Sequence, residues 1–207
     1  MLQLIKKDIL FNWKWALMLV LIAVILPLTV YFDPEETRWT LIVYIVGAVL
    51  ANQNFVSKSC YLDDGIQTRR FLASLPVKKS QLILSKYLLG LLCVCVTLAL
   101  SSSTSLALGH YPGIQAILIA TIYLLLYYAI FLGVFFRFNY SSAEKAHTAL
   151  MMLTIMSAFV LDRSGIRLDE MHIDPLILLG VLGLCLLIFA ASLVGSVGGA
   201  GDARCNR

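Results

Sequence analysis

Along most of the chain, apolar residues run uninterrupted for lengths that suit neither an alternating strand nor a half-buried helix. Six stretches contain no Asp, Glu, Lys or Arg: residues 15–32, 39–56, 87–108, 114–136, 148–161 and 176–197. A helix that crosses a bilayer needs roughly 20 mostly apolar residues at about 1.5 Å each. Five of the runs meet that length or nearly so, and the fifth run is the short one. Its start extends it, because Ser141-Ser142-Ala143-Glu144 reads as a capping box with Ser141 as N-cap and Glu144 reaching back, predicting a helix over 142–161. Asp33-Pro34-Glu35-Glu36 before the second run and Asp174-Pro175 before the sixth supply a cap, a first-turn proline and, in the former, first-turn carboxylates. The pattern predicts an all-α integral membrane protein with six transmembrane helices.

Two amphipathic segments stand apart from the runs. Over residues 1–14, Leu2, Ile5, Ile9 and Trp13 recur at helical spacing with Gln3, Lys6, Lys7 and Lys14 largely elsewhere, which suits a helix lying along the membrane surface. The connection over 57–86 contains a second. Asp64 followed by Gln67 gives an N-cap and an N3 partner, Pro76 closes the segment, and a helix over 65–75 results. Thr68, Phe71, Leu72 and Leu75 share one face of it, with Gln67, Arg70 and Ser74 on another and Arg69 beside them. The next helix starts at Ser80 and carries Lys86 towards the bilayer, where its ammonium is expected to snorkel to the headgroups.

Composition confirms the class: 60% of the 207 residues are hydrophobic, 14% are charged, and mean hydropathy is +0.87. The charged residues orient the chain. With the N-terminus inside, thirteen of the sixteen Lys and Arg fall on inner segments, leaving Arg38, Arg163 and Arg167 outside, while the acidic residues favour the outside. Both termini are therefore expected in the cytoplasm, and the net charge of +4 reflects topology and anionic lipid rather than nucleic acid.

Chemistry is sparse. No run carries an ionisable Asp, Glu, Lys or Arg, and His110, His147 and His172 lie at or beyond the run ends, which disfavours proton relays and intramembrane catalysis. No Gly-x-x-x-x-Gly-Lys-Ser/Thr loop is present, so the chain is not expected to bind nucleotide itself, and with no cluster of His, Asp, Glu or Cys on facing helices no catalytic, cofactor-binding or metal site is expected in it. Cys93 and Cys95 point to opposite helix faces and, with Cys60, Cys185 and Cys205, read as reduced thiols. Uncharged polar residues remain: Ser101, Ser102, Ser103, Thr104 and Ser105 at the outer end of the third run, and Asn52, Gln53 and Asn54 at the inner end of the second. Ser101, Ser102, Thr104, Ser105 and Asn52 are candidates for a substrate path, with helix packing as the competing role.

The run Asp63-Asp64-Gly65-Ile66-Gln67-Thr68-Arg69-Arg70-Phe71-Leu72-Ala73-Ser74-Leu75-Pro76-Val77, followed by Lys86-Tyr87, resembles the stretch after the second helix in ABC-2-type transporter permeases. Small Gram-positive permeases, including the phenol-soluble-modulin exporter, look most similar in size and in lacking a large outer domain. The resemblance implies a type V exporter-like permease in the plasma membrane, pairing with a second copy of itself and with two copies of a cytosolic ABC ATPase that holds ATP and Mg. It implies that residues 65–75 form the coupling helix, with Asp64, Gly65, Gln67, Thr68, Arg69, Arg70, Phe71, Leu72, Leu75 and Pro76 at the ATPase contact. Wholly apolar spans suggest amphipathic peptides, toxins or lipophilic antibiotics as cargo. A membrane anchor that recruits a cytosolic partner without transport is the alternative.

Overall fold

A computed structural model describes residues 2–32, 37–65, 68, 78–109, 113–163 and 174–202. Among them the regular structure is helical throughout: α1 (Leu2–Phe11), α2 (Trp13–Phe32), α3 (Thr37–Asp64), α4 (Lys79–Ala107), α5 (Gly113–Arg137), α6 (Tyr140–Arg163) and α7 (Pro175–Asp202). The helix expected over 65–75 lies outside the described residues except for Gly65 and Thr68, of which Thr68 is helical. Asp64 is the last residue of α3.

Among the described residues three helices, spanning Lys79–Ala107, Ile114–Arg137 and Leu176–Gly198, are long and apolar enough to cross a membrane. A fourth is available if Gln3–Phe11 and Trp13–Ile25 count as one span broken by an 80° bend. That bend has a local cause at Asn12. Its backbone N–H and its side-chain amide both donate to the Asp8 carbonyl, at 3.1 Å each, while its own carbonyl accepts from the N–H groups of Trp15 and Ala16 at 2.9 Å. One buried residue thus closes α1 and opens α2, satisfying orphan groups of both helix ends.

Two start signals can be compared with the backbone. Asp174 caps α7 as expected, its carboxylate accepting from the Leu176 N–H at 3.1 Å. The start of α6 corrects the expected cap at Ser141: Asn139 holds that position, its side-chain oxygen accepting from the Ser142 N–H at 2.9 Å. The Asn139 carbonyl accepts from the Ala143 N–H, so the helix begins at Tyr140, ahead of the capping-box serine. The Asp33-Pro34-Glu35-Glu36 signal lies outside the described residues.

Helix α3 touches α2, α4, α5 and α6, and α5 packs along α7. The core gathers Phe55, Val56, Ile83, Tyr87, Leu124, Tyr128 and Phe131, all buried. Gly90 makes room for it: a Cβ there would sit 3.4 Å from the Tyr128 ring, already at contact distance. By contrast, Leu176, Ile177, Leu184, Leu187 and Val194 leave one side of α7 apolar and exposed, as a lipid-facing surface requires.

Candidate functional site: a buried charge cluster at the foot of the connection

Lys86 sits in the second turn of α4, one residue before the charge-free run. It does not snorkel. The residue is 1% exposed, and its ammonium lies 2.9 Å from Asp8 Oδ2 of α1 and 2.5 Å from Asp63 Oδ2 of α3. The same ammonium donates to Ser59 Oγ at 2.5 Å and to the Ser59 carbonyl at 3.4 Å. Lys7 completes the group from the half-exposed side, 3.0 Å from Asp63 Oδ1 and 3.3 Å from Asp8 Oδ1. Snorkelling is available only to a cation whose path to water is open, and here α1 and the end of α3 close that path.

Two cations and two carboxylates make the cluster neutral, which is the condition under which buried charges are tolerated. Each carboxylate is shared by two ammoniums and each ammonium by two carboxylates, so three helices are crosslinked through one hub. The consequence for α1 is a division of faces. Ile5, Asp8 and Asn12 turn inward, whereas Ile9, Leu10, Phe11 and Trp13 are exposed. The expected apolar stripe of Leu2, Ile5, Ile9 and Trp13 is therefore split, with Ile5 packed on the core and the later members free to meet lipid.

Around this hub the C-terminal end of α3 is tied to its other neighbours. Lys58 stands over the rings of Trp15 and Tyr61, 5.4 and 5.2 Å from their centroids, a cation–π arrangement that fastens α2. Ser57 and Tyr140 exchange a hydrogen bond at 3.1 Å, and Tyr61 packs edge-on against Tyr140 at 5.3 Å, fastening α6. Cys60, on the same turn, is fully buried. Asp63 and Asp64 end α3 immediately before the connection, and Lys79 begins α4 immediately after it. The two helix ends that flank residues 65–78 are thus locked to each other and to α1 through Lys86 and Asp63.

The coupling residues named from sequence, Asp64, Gly65, Gln67, Thr68, Arg69, Arg70, Phe71, Leu72, Leu75 and Pro76, fall mostly outside the described residues. Of these, Asp64 closes α3, and Gly65 lies beneath Thr68, whose Oγ1 would be 3.6 Å from a Cβ at position 65. The candidate path residues divide. Ser101 and Ser105 are buried on the face of α4 that also carries Thr97, Ser103 is exposed, and Ser102 and Thr104 lie between. Thr104 Oγ1 donates back to the Leu100 and Ser101 carbonyls at 2.9 Å. Asn52 is buried and engaged: its amide donates to the Ala48 carbonyl at 2.8 Å and its Oδ1 accepts from the Tyr128 hydroxyl at 3.1 Å. The structure brings Asn52 together with α5 and not with the serine-rich C-terminal end of α4.

Polar contacts that the sequence did not announce join the remaining helices. The Tyr87 hydroxyl meets Ser192 Oγ at 2.9 Å and Ser196 Oγ at 3.1 Å, pinning α4 to α7. The Tyr127 hydroxyl meets His147 Nδ1 at 2.8 Å, and Tyr123 is hydrogen-bonded to Thr154, both between α5 and α6. Their sequence signal is the row of tyrosines in otherwise aliphatic runs, since a buried phenol needs a partner for its hydroxyl.

Searches of curated proteins and of solved structures return no match. A family model described as "ABC-2 family transporter protein" matches residues 3–198, from the cluster-bearing N-terminal helix almost to the end of α7. With apolar helices long enough to cross a bilayer and this match over nearly its whole length, the chain is a membrane protein and belongs to the ABC-2 transporter family, as a permease component.

Proposed function

We propose that the chain is the permease subunit of an ATP-driven exporter in the plasma membrane, working as a pair with two copies of a separate cytosolic ATPase. In this reading α2 to α7 are six spans, both termini face the cytoplasm, and residues 65–75 are the element that docks on the ATPase. The observation that carries it is the buried Lys86–Asp8–Asp63–Lys7 cluster. A connection that merely joined two spans would not require a charged, desolvated lock at its root. One that transmits force does, because motion of the connection must reach the bilayer without being absorbed at the helix ends.

The cargo proposed is amphipathic or lipophilic: a peptide, a toxin or an antibiotic. The cations and carboxylates of the cluster neutralise one another, and the runs beyond Lys86 carry no fixed charge. Such a path offers little to a strongly charged solute. Ser101, Ser102, Thr104 and Ser105 are the polar residues proposed to meet the cargo near the outer end of α4.

The test is co-expression with the ATPase encoded nearest to this chain, purification through a tag on the permease alone, and ATP hydrolysis measured in lipid. Co-purified hydrolysis that falls when Arg69→Glu and Arg70→Glu are combined is the expected result. Undiminished co-purification and hydrolysis in that variant would refute the assigned docking element. Failure of any ATPase to co-purify would refute the transporter reading in favour of a recruiting anchor.

A further inference from the structure

A second site lies at the Arg137 end of the α5–α7 contact. A cleft of about 400 Å³ lies between the two helices there, with walls from Ile130 and Val134 of α5 and Ile188 and Ala191 of α7. Small residues create it. Gly133 faces Ser192, whose Oγ would be 2.8 Å from a Cβ at 133, and that hydroxyl is already turned away to donate to the Ala129 carbonyl at 2.6 Å. At the inner mouth, Arg137 lies across Gly195, so closely that a Cβ at 195 would come within 2.5 Å of Nη2. Among the described residues Arg137 has no carboxylate partner and no hydrogen bond. Other basic residues at this end of the molecule, Lys7 and Lys86, are spoken for.

We propose that this cleft is a binding site for one anionic phospholipid of the inner leaflet, an acyl chain lying between α5 and α7 and the phosphate resting on the Arg137 guanidinium. Four observations select that occupant. Both walls belong to helices that qualify as membrane spans, so the cleft opens onto lipid. Its volume holds on the order of a dozen methylene groups, taking each as roughly the ~30 Å³ of a water molecule. Ile188 on its wall is exposed on α7, as are Leu184 one turn before it and Leu187 next to it, an apolar surface on which the rest of the acyl chain would lie. Finally, the one charged group at the mouth is a planar cation with several donors, suited to a phosphate and unmatched by any anion of the protein described here. The inference rests on the inner placement of Arg137 and on membrane insertion. It is independent of the cargo and of the ATPase.

The experiment uses the full chain, purified in detergent and exposed to equal amounts of phosphatidylglycerol and phosphatidylcholine with identical acyl chains, with bound lipid counted by native mass spectrometry. Wild type should retain the anionic lipid with about a five-fold preference, the scale of one cation near a headgroup. Arg137→Gln should bring the ratio close to one, Arg137→Lys should keep part of the preference, and Lys14→Gln, an exposed inner cation away from the cleft, should leave it unchanged. Ala191→Phe, which fills the cleft, should lower retention of both lipids. Equal retention of the two lipids by wild type would overturn the proposal. So would a preference that survives Arg137→Gln, an equal loss in Lys14→Gln, or undiminished retention in Ala191→Phe.

Discussion

Replacing Lys86 by Met keeps the length and the apolar stem of the side chain and removes only the ammonium. In the native cluster that ammonium contacts Asp8 Oδ2 at 2.9 Å, Asp63 Oδ2 at 2.5 Å and Ser59 Oγ at 2.5 Å, with 1% exposure. Its loss leaves two carboxylates sharing Lys7, a net charge of −1 in a site closed to water. Breaking a buried ion pair from one side costs about 3–5 kcal/mol. Lys7 remains 3.0 and 3.3 Å from the two carboxylates, which places the expected loss near the lower figure, about 3 kcal/mol or some two decades in the folded ratio. For a chain of this size, soluble-protein scaling converts this to a fall in melting temperature of roughly 6–12 °C. The assay is thermal denaturation of the detergent-purified permease followed by size-exclusion monodispersity. Two companions make it decisive. Asp63→Asn should restore a large part of the stability lost by Lys86→Met, because the pair is then removed from both sides. Asp8→Asn combined with Lys86→Met should do the same, and the double-mutant cycles measure the coupling directly. If Lys86→Met melts with wild type, or if neither asparagine rescues it, the ammonium is not holding the three helices and the coupling argument built on it fails.

Other expectations follow from single contacts. Asn139→Ala removes the cap of α6 and should cost about 1 kcal/mol, readable as a melting shift of a few degrees, whereas Ser141→Ala should cost less; the reverse order would restore the serine as the cap. Tyr128→Phe deletes the hydroxyl that Asn52 accepts from and should cost about 0.5–1.5 kcal/mol in denaturant or thermal titration, while a rise in stability would mean that the bond is not formed in the membrane. Ser102→Leu and Thr104→Leu should slow transport of an amphipathic cargo in proteoliposomes with ATP hydrolysis intact, and transport at wild-type rate in both would remove the outer end of α4 from the path.

Much of the fold could be read from the chain because bilayer helices are specified locally. A run without charges, a proline, an acidic cap such as Asp174 and the opposed faces of Cys93 and Cys95 are all short-range facts, and the structure has Cys93 buried and Cys95 exposed. Two misreadings share a cause. Lys86 resembled a terminal snorkelling lysine because it stands at the edge of a long charge-free run; its partners are Asp63 on another helix and Asp8 on α1. Asn139 lost to Ser141 because a glutamate three residues on favours the serine, yet the backbone takes whichever acceptor lets the helix begin first. The candidate site was half legible. Asp63 and Lys86 both fell within the stretch resembling ABC-2 permeases, but Asp8 carried no signal there, since its position on the inward face of α1 is fixed by tertiary contact.

The same crosslink sets an order on biosynthesis. Asp8 is made 78 residues ahead of the ammonium it needs. At about 5–20 residues per second, the ribosome supplies Lys86 some 4 to 16 seconds later. Until then the first helix has Lys7 but not Lys86, and Asp8 keeps its hydration at the headgroups. It can close onto α3 and α4 only after both are in place. Helix α1, translated before its partners, is therefore among the last to lock, and deleting it should release a chain that inserts but does not finish assembling.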